Sequence, residues 1–280
     1  MTTEGPALTL PAAPPRHPAW ELGARLDAAL GDPADPATAA GYREAVRADH
    51  AEEFPADACA ALRHWGLADY YVPAEHGGAL TSYDQLQQLI RTVARRDLTA
   101  AIGHGKTFLG TVCVWVGADP ALARRVGALV RGGELVSLGL TERTHGSDLM
   151  AGEVAADRDG DGYRLTGEKW LINNATRGRL LCLLARTAPE GGPRGFTVLL
   201  VDKEHLPGAA YRCLPKVRTH GIRGADISGI AYRDAPVGAD AVVGAEGGGP
   251  PNRQQAQQKK PPPWPPPGPA GAGAPPRALL

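Results

Sequence analysis

The spacing of apolar residues changes character near residue 134. Before it the period is helical. Ala58, Leu62 and Trp65 share a face, with Pro55 at a first helical position and Gly66 as a C-terminal stop. Leu86, Leu89, Ile90 and Val93 form a second stripe, opened by the capping-box pair Ser82 and Gln85 and ended by Arg95 and Arg96. Asp119 and Pro120 open a third helix whose Leu122, Val126, Leu129 and Val130 point inward, and Gly132 closes it. After residue 134, short alternating segments at 135–141, 163–172, 180–185, 196–201 and 227–232 are separated by Gly, Pro and Asp clusters. That pattern predicts an antiparallel sheet or barrel. The fold class expected is α+β, and the absence of any fixed-period repeat disfavours a solenoid or propeller.

Composition sets the outer boundaries. Residues 1–40 are rich in Pro, Ala and Asp and read as a flexible arm, followed by a helical domain over 41–133 and a β-barrel over 134–248. From 249 to 280 the proline density excludes both a helix interior and a central strand, so this stretch is expected to be a disordered tail. A polyproline ligand for an aromatic groove is the alternative.

A formal net charge of zero gives no electrostatic footprint for nucleic acid or an anionic membrane. Cys59, Cys113, Cys182 and Cys213 are widely spaced and the histidines show no ligand grouping, so no metal site is expected and the thiols read as reduced core residues. The longest apolar run, at 180–185, is too short to span a bilayer, and the N-terminus lacks a signal-peptide pattern. A cytoplasmic protein is expected.

Two strings resemble ligand motifs and are set aside on context. Asp157 to Glu168 satisfies the EF-hand pattern, but an alternating segment follows it, and its Asp-Gly pairs favour a hairpin turn. "AAIGHGKT", residues 100–107, misses the first glycine of a phosphate loop and follows a helical stretch, so its small residues are read as helix packing.

Several blocks then point to one family. "LGLTERTHGSD" (138–148), "GDGYRLTGEKWLINNA" (160–175), "HGIRGADISGIAYRDAPV" (220–237) and "VVGAEGGG" (242–249) come in the order and approximate spacing seen in acyl-CoA dehydrogenases. "FPADACAALRHWGLADYYVPAEHGG" (54–78) resembles the segment leading to that family's P-x-x-x-GG turn. The resemblance covers about residues 45–249. It implies a helical N-terminal domain and a β-barrel middle domain enclosing FAD, with a C-terminal four-helix domain that is missing here.

It also implies site residues. Leu138, Leu140, Thr141, Gly146 and Ser147 match the segment that lines the flavin, and Ser147 would also touch the acyl thioester. The chemistry suits those roles: Thr141 can bond a polar ring edge, Gly146 permits close backbone approach, and Ser147 can donate to a phosphate. Leu171, Ile172 and Asn173 match the second flavin segment, where the family commonly has Trp, Ile and Thr. Leu171 takes the Trp place, and Trp170 does not substitute for it, because adjacent strand residues point to opposite faces.

The reaction implied is α,β-dehydrogenation of an acyl thioester carried by CoA or an acyl carrier protein, with an unidentified electron acceptor. Family relatives include nitroalkane oxidases and N-hydroxylases, and a non-catalytic remnant is a further alternative. The family's catalytic Glu belongs to the missing domain, so no catalytic residue is assigned; capping or solvation is the expected role of Glu142 and Glu168. The abrupt change at Gly249 reads as truncation or a shifted frame. The family's oligomeric assembly is not carried over, because members associate largely through the missing domain.

Overall fold

The computed structural model describes residues 18–189 and 192–249. The expected tail from 250 onward, and the arm before residue 18, lie outside them. Six α-helices come first: α1 Pro18–Ala29, α2 Tyr42–His50, α3 Ala56–Trp65, α4 Tyr83–Ala94, α5 Leu98–Gly117 and α6 Pro120–Arg131. The local signals act where the sequence places them. Gly66 caps α3 in the left-handed region (φ 87°). Ser82 and Gln85 form a complete capping box on α4, and Asp119 accepts from Ala121 and Leu122 at the start of α6.

From residue 18 onward, the expected flexible arm over 1–40 is corrected by α1. Ala19, Leu22, Gly23 and Leu26 of this helix are buried. Gly23 lets it approach α4 so closely that a Cβ there would lie 3.0 Å from Thr92 Oγ1. Arg96 reaches back to bond the Asp27 carboxylate at 2.8 Å and the Asp27 and Gly31 carbonyls at 2.7 Å. Proline at the first turn starts this helix instead of breaking it.

Seven strands follow: β1 Val136–Gly139, β2 Ala155–Asp159, β3 Gly162–Asn173, β4 Leu180–Arg186, β5 Phe196–Asp202, β6 Tyr211–Cys213 and β7 Ile227–Val237. They form one mixed sheet that curls as a half-barrel. β2–β3, β3–β7, β4–β5 and β6–β7 pair antiparallel, whereas β1 runs parallel to β4, with Val136 opposite Leu180 and Gly139 opposite Leu183. The β2–β3 hairpin lies between β1 and β4 in sequence and supplies the crossover that a parallel pair requires.

β4 and β5 are buried on both faces. Leu180, Cys182, Leu184, Val198 and Leu200 belong to the helical core, while Leu181, Leu183, Leu199 and Val201 fill the inside of the sheet. Strands wedged between two cores read as continuous apolar runs rather than alternations.

Both set-aside strings resolve as structure. Asp159 pairs with Gly162 across a two-residue turn in which Gly160 has φ 58°, so the EF-hand string is a hairpin, and among the described residues no group of His, Cys, Asp or Glu could hold a metal ion. "AAIGHGKT" lies inside α5, where His104 Nδ1 and the Tyr71 hydroxyl share a buried hydrogen bond of 2.7 Å. Burial pushes the His104 imidazole down to about 4, so it is neutral at physiological pH.

The α5 glycines are contact points. A Cβ on Gly110 would lie 2.3 Å from the Val136 carbonyl oxygen, so helix and β1 touch backbone to backbone. Substituting Gly110→Ala should gain about 1 kcal/mol of helix propensity and lose more, about 1–3 kcal/mol, to overpacking. A net loss in urea unfolding is expected. Gly146→Ala, where nothing lies within 4 Å of the new methyl, should leave the midpoint unchanged.

Candidate cofactor site

The two segments marked by the resemblance meet at the end of β1. Beyond Gly139 the chain continues beside β3: the Trp170 N–H donates to the Thr141 carbonyl at 2.8 Å, and Lys169 Nζ donates to the Leu140 carbonyl at 3.1 Å. This places Thr141 next to the stretch that holds Leu171 and Asn173.

A buried ion pair fixes that junction. Lys169 Nζ lies 2.8 Å from Glu142 Oε1, with the two side chains 2% and 7% exposed. Glu142 also accepts from the backbone N–H groups of Glu153 (2.7 Å) and Val154 (3.1 Å). Glu142 thus closes the base of the 142–153 excursion. The expectation of a solvated Glu142 is corrected: it is buried, and its ion-pair partner lies 27 residues away on β3. Burial alone would raise its carboxyl, but the Lys169 ammonium and the two amides outweigh this and hold it below the usual carboxylate range.

Within the excursion, the Glu142 N–H donates to the His145 carbonyl at 2.9 Å, and Arg143, Thr144, Gly146, Ser147 and Asp148 are exposed. Arg143 is held on two sides. Its Nε donates to Glu168 at 2.6 Å, and its guanidinium carbon stands 3.7 Å from the centroid of the Trp170 ring.

A local departure from regular strand geometry falls at Leu171. The β3–β7 register shifts between Trp170 and Ile172, leaving Leu171 as the extra residue of a bulge, with φ 55° and 47% of its surface exposed. A leucine in the left-handed region is strained by about 1–3 kcal/mol, and such strain clusters at binding sites. The bulge also changes the alternation used above for Trp170 and Leu171, because strand periodicity does not carry across an inserted residue.

The remaining site residues divide. Thr141, Ser147 and Asn173 have no side-chain hydrogen bond within the described residues, which leaves their donors and acceptors available. Leu138 and Leu140 are half-buried, with part of each side chain packed against the helical core. The side chain of Ile172 is 2% exposed inside the sheet, opposite Ser228, so any contact it made with a ligand would come through its backbone. Asn174, unmarked at the outset, ties the site to the helices through a 2.8 Å bond from Nδ2 to the Gly103 carbonyl.

Residues 137–235 match the family model of the acyl-CoA dehydrogenase middle domain. The chain is thus similar to acyl-CoA dehydrogenases, with a matched middle-domain region. It is 29% identical over 204 residues to FadE25 of Mycobacterium tuberculosis, named a probable acyl-CoA dehydrogenase, covering 72% of this chain and 52% of the relative. It is 30% identical over 206 residues to a cyclohex-1-ene-1-carbonyl-CoA dehydrogenase of Geobacter metallireducens, covering 72% and 53%. The chain thus spans about half the length of these acyl-CoA dehydrogenase relatives. The fold is similar to that of an acyl-CoA dehydrogenase from Geobacillus kaustophilus (TM-score 0.72, 20% identity, 87% of this chain and 62% of that one). It is also similar to a glutaryl-coenzyme A dehydrogenase solved with glutaryl-CoA (TM-score 0.70, 21% identity, 82% and 56%).

Lys169→Met leaves Glu142 ionised and without its cation, and should destabilise by about 3–5 kcal/mol at neutral pH in denaturant unfolding. The pH dependence has a defined sign. The stability conferred by a depressed carboxyl is present above its unfolded value of about 4.3 and is lost as pH falls through the lower folded one. In the variant the lone carboxyl takes up its proton more readily, so the gap between the two proteins should narrow below about pH 5. A gap constant from pH 7 to pH 4 would contradict the ionic role.

Proposed function

We propose that the chain is the FAD-binding portion of an acyl-CoA dehydrogenase-type oxidoreductase acting on an acyl thioester of CoA or of an acyl carrier protein. In this reading the helical part from α1 to residue 133 and residues 134–248 correspond to the family's first two domains, and the protein works in the cytoplasm with an electron acceptor. Among the described residues no helix is long and apolar enough to cross a membrane.

The observation that carries the proposal is the strained, exposed Leu171 beside Thr141 and Asn173, both without side-chain partners. An apolar side chain standing out of a sheet next to unused donors and acceptors suits a flat ring with one polar edge. Leu171 would cover the ring, Thr141 and Asn173 would bond its polar edge, and the open backbone at Gly146 with the Ser147 hydroxyl would serve the phosphates. Ser147 would also bond the thioester. When bound, FAD supplies the acceptor for the hydride leaving the β carbon.

The chain's own contribution to the α proton is limited. Glu142 is buried in its ion pair and Glu168 accepts from Arg143, so neither carboxylate of these segments is free to act as base. Turnover would need a carboxylate from outside this site. That engagement favours a second reading, a flavin-binding protein without turnover.

One titration separates them. The purified chain, mixed with FAD and freed of excess, should retain the visible bands of oxidised flavin, and Leu171→Asp should lose them while remaining folded by circular dichroism. Bleaching by an acyl-CoA without oxygen would favour turnover, and retained bands without bleaching would favour the second reading. A folded chain that keeps no flavin would overturn the proposal.

A further inference from the structure

The flavin reading assigns polar and apolar contacts but no cation, although the phosphate chain of a flavin nucleotide is anionic at physiological pH. One side chain in the candidate site has the chemistry to meet it. Arg143 stands two residues after Thr141, at the start of the exposed stretch that contains Thr144, Gly146 and Ser147. Its guanidinium is oriented twice, by the 2.6 Å bond from Nε to Glu168 and by the Trp170 ring beneath it at 3.7 Å. Both contacts leave the two terminal amino groups without a hydrogen bond among the described residues.

This differs from an ordinary surface ion pair. A long flexible side chain on a surface pays rotamer entropy for each contact it makes, and an isolated exposed pair returns little. Here the planar group is held before any ligand arrives, and a pre-oriented guanidinium loses less freedom when it pairs with a phosphate. The orienting groups are fixed in turn. Glu168 and Trp170 flank Lys169, whose ammonium is locked to Glu142, and the Trp170 N–H is bonded to Thr141. The groups that orient the cation are therefore themselves tied into the Lys169–Glu142 junction.

We propose that Arg143, clamped between Glu168 and Trp170, holds the phosphate chain of a flavin nucleotide along residues 143–148. The inference rests on the flavin reading above and adds to it the residue that distinguishes a phosphorylated flavin from the bare ring system. The terminal amino groups of Arg143 pair with phosphate oxygens, and the Ser147 hydroxyl and loop amides donate from the other end of the stretch. The Glu168 carboxylate keeps its place on Nε.

The test is a set of fluorescence titrations of the full chain with riboflavin, FMN and FAD, for the native protein and for Arg143→Gln and Arg143→Lys, each first shown to be folded by circular dichroism. Native protein should bind FMN and FAD more tightly than riboflavin, with a preference that weakens as salt is raised. Arg143→Gln should weaken FMN and FAD by about tenfold or more and leave riboflavin unchanged, as expected for loss of a charged hydrogen bond. Arg143→Lys, which keeps the charge without the fork, should fall between. Equal weakening of all three flavins, or none, would overturn the role of Arg143 while leaving flavin binding intact. A folded native chain that binds none of the three would overturn the flavin reading and this inference together.

Discussion

The geometry of the candidate site depends on the ion pair between Lys169 and Glu142. Two ionised groups removed from water are expensive to bury, and their attraction offsets that expense only when every remaining donor and acceptor is satisfied. Here Glu142 collects two backbone N–H groups and Lys169 a backbone carbonyl. The pair therefore organises main chain as well as side chains. It fixes where β1 ends, where the 142–153 excursion begins and returns, and how that excursion sits against β3. A hydrophobic replacement could fill the space but would leave those backbone groups unpaired, which is a reason for an ionic solution here.

From that junction the constraints run outward in both directions. Toward the helices, Gly110 brings α5 onto the backbone of β1, and Asn174 bonds the Gly103 carbonyl at the far end of β3. Toward the sheet, β4 lies between the helical core and the inner core, so it cannot move without disturbing both. The exposed stretch 143–148 thus springs from a frame held on two sides. A loop on a rigid frame is suited to present donors at fixed positions while its own residues remain accessible.

What was legible in the sequence follows from the range of the interactions involved. The boundaries of α3, α4 and α6 rest on caps made within four residues, so Gly66, Ser82 with Gln85, and Asp119 could be read directly. The strands were legible where one face or both are apolar over several residues. By contrast, α1 is set by a long-range fit, with Gly23 against α4 and Arg96 bonding back to Asp27, and its Pro- and Ala-rich surroundings concealed it. β6, with only three residues, carries too little pattern to be seen. The flavin-segment residues came from the family resemblance. The burial of Glu142 could not be read, because it needs Lys169 to arrive from another strand. The bulge at Leu171 was invisible for a related reason: alternation is counted along one strand, whereas a bulge is a mismatch between two.

That bulge also changes what the departure at Leu171 means. Where the family commonly has Trp, a smaller apolar residue offers less area to a ring. In the structure, the left-handed backbone carries Leu171 out of the sheet and Trp170 lies directly before it, covered by Arg143. The aromatic surface is therefore still present one residue earlier, although its face is occupied by a guanidinium. With one indole face taken by the guanidinium, the part shown for Trp170 is to orient the cation. The division of labour is thus shifted: an aliphatic side chain provides apolar cover, and the aromatic one positions charge. Chemistry that depends on the electronics of a stacked aromatic would be altered by this exchange, whereas binding that depends on apolar area and placed donors need not be.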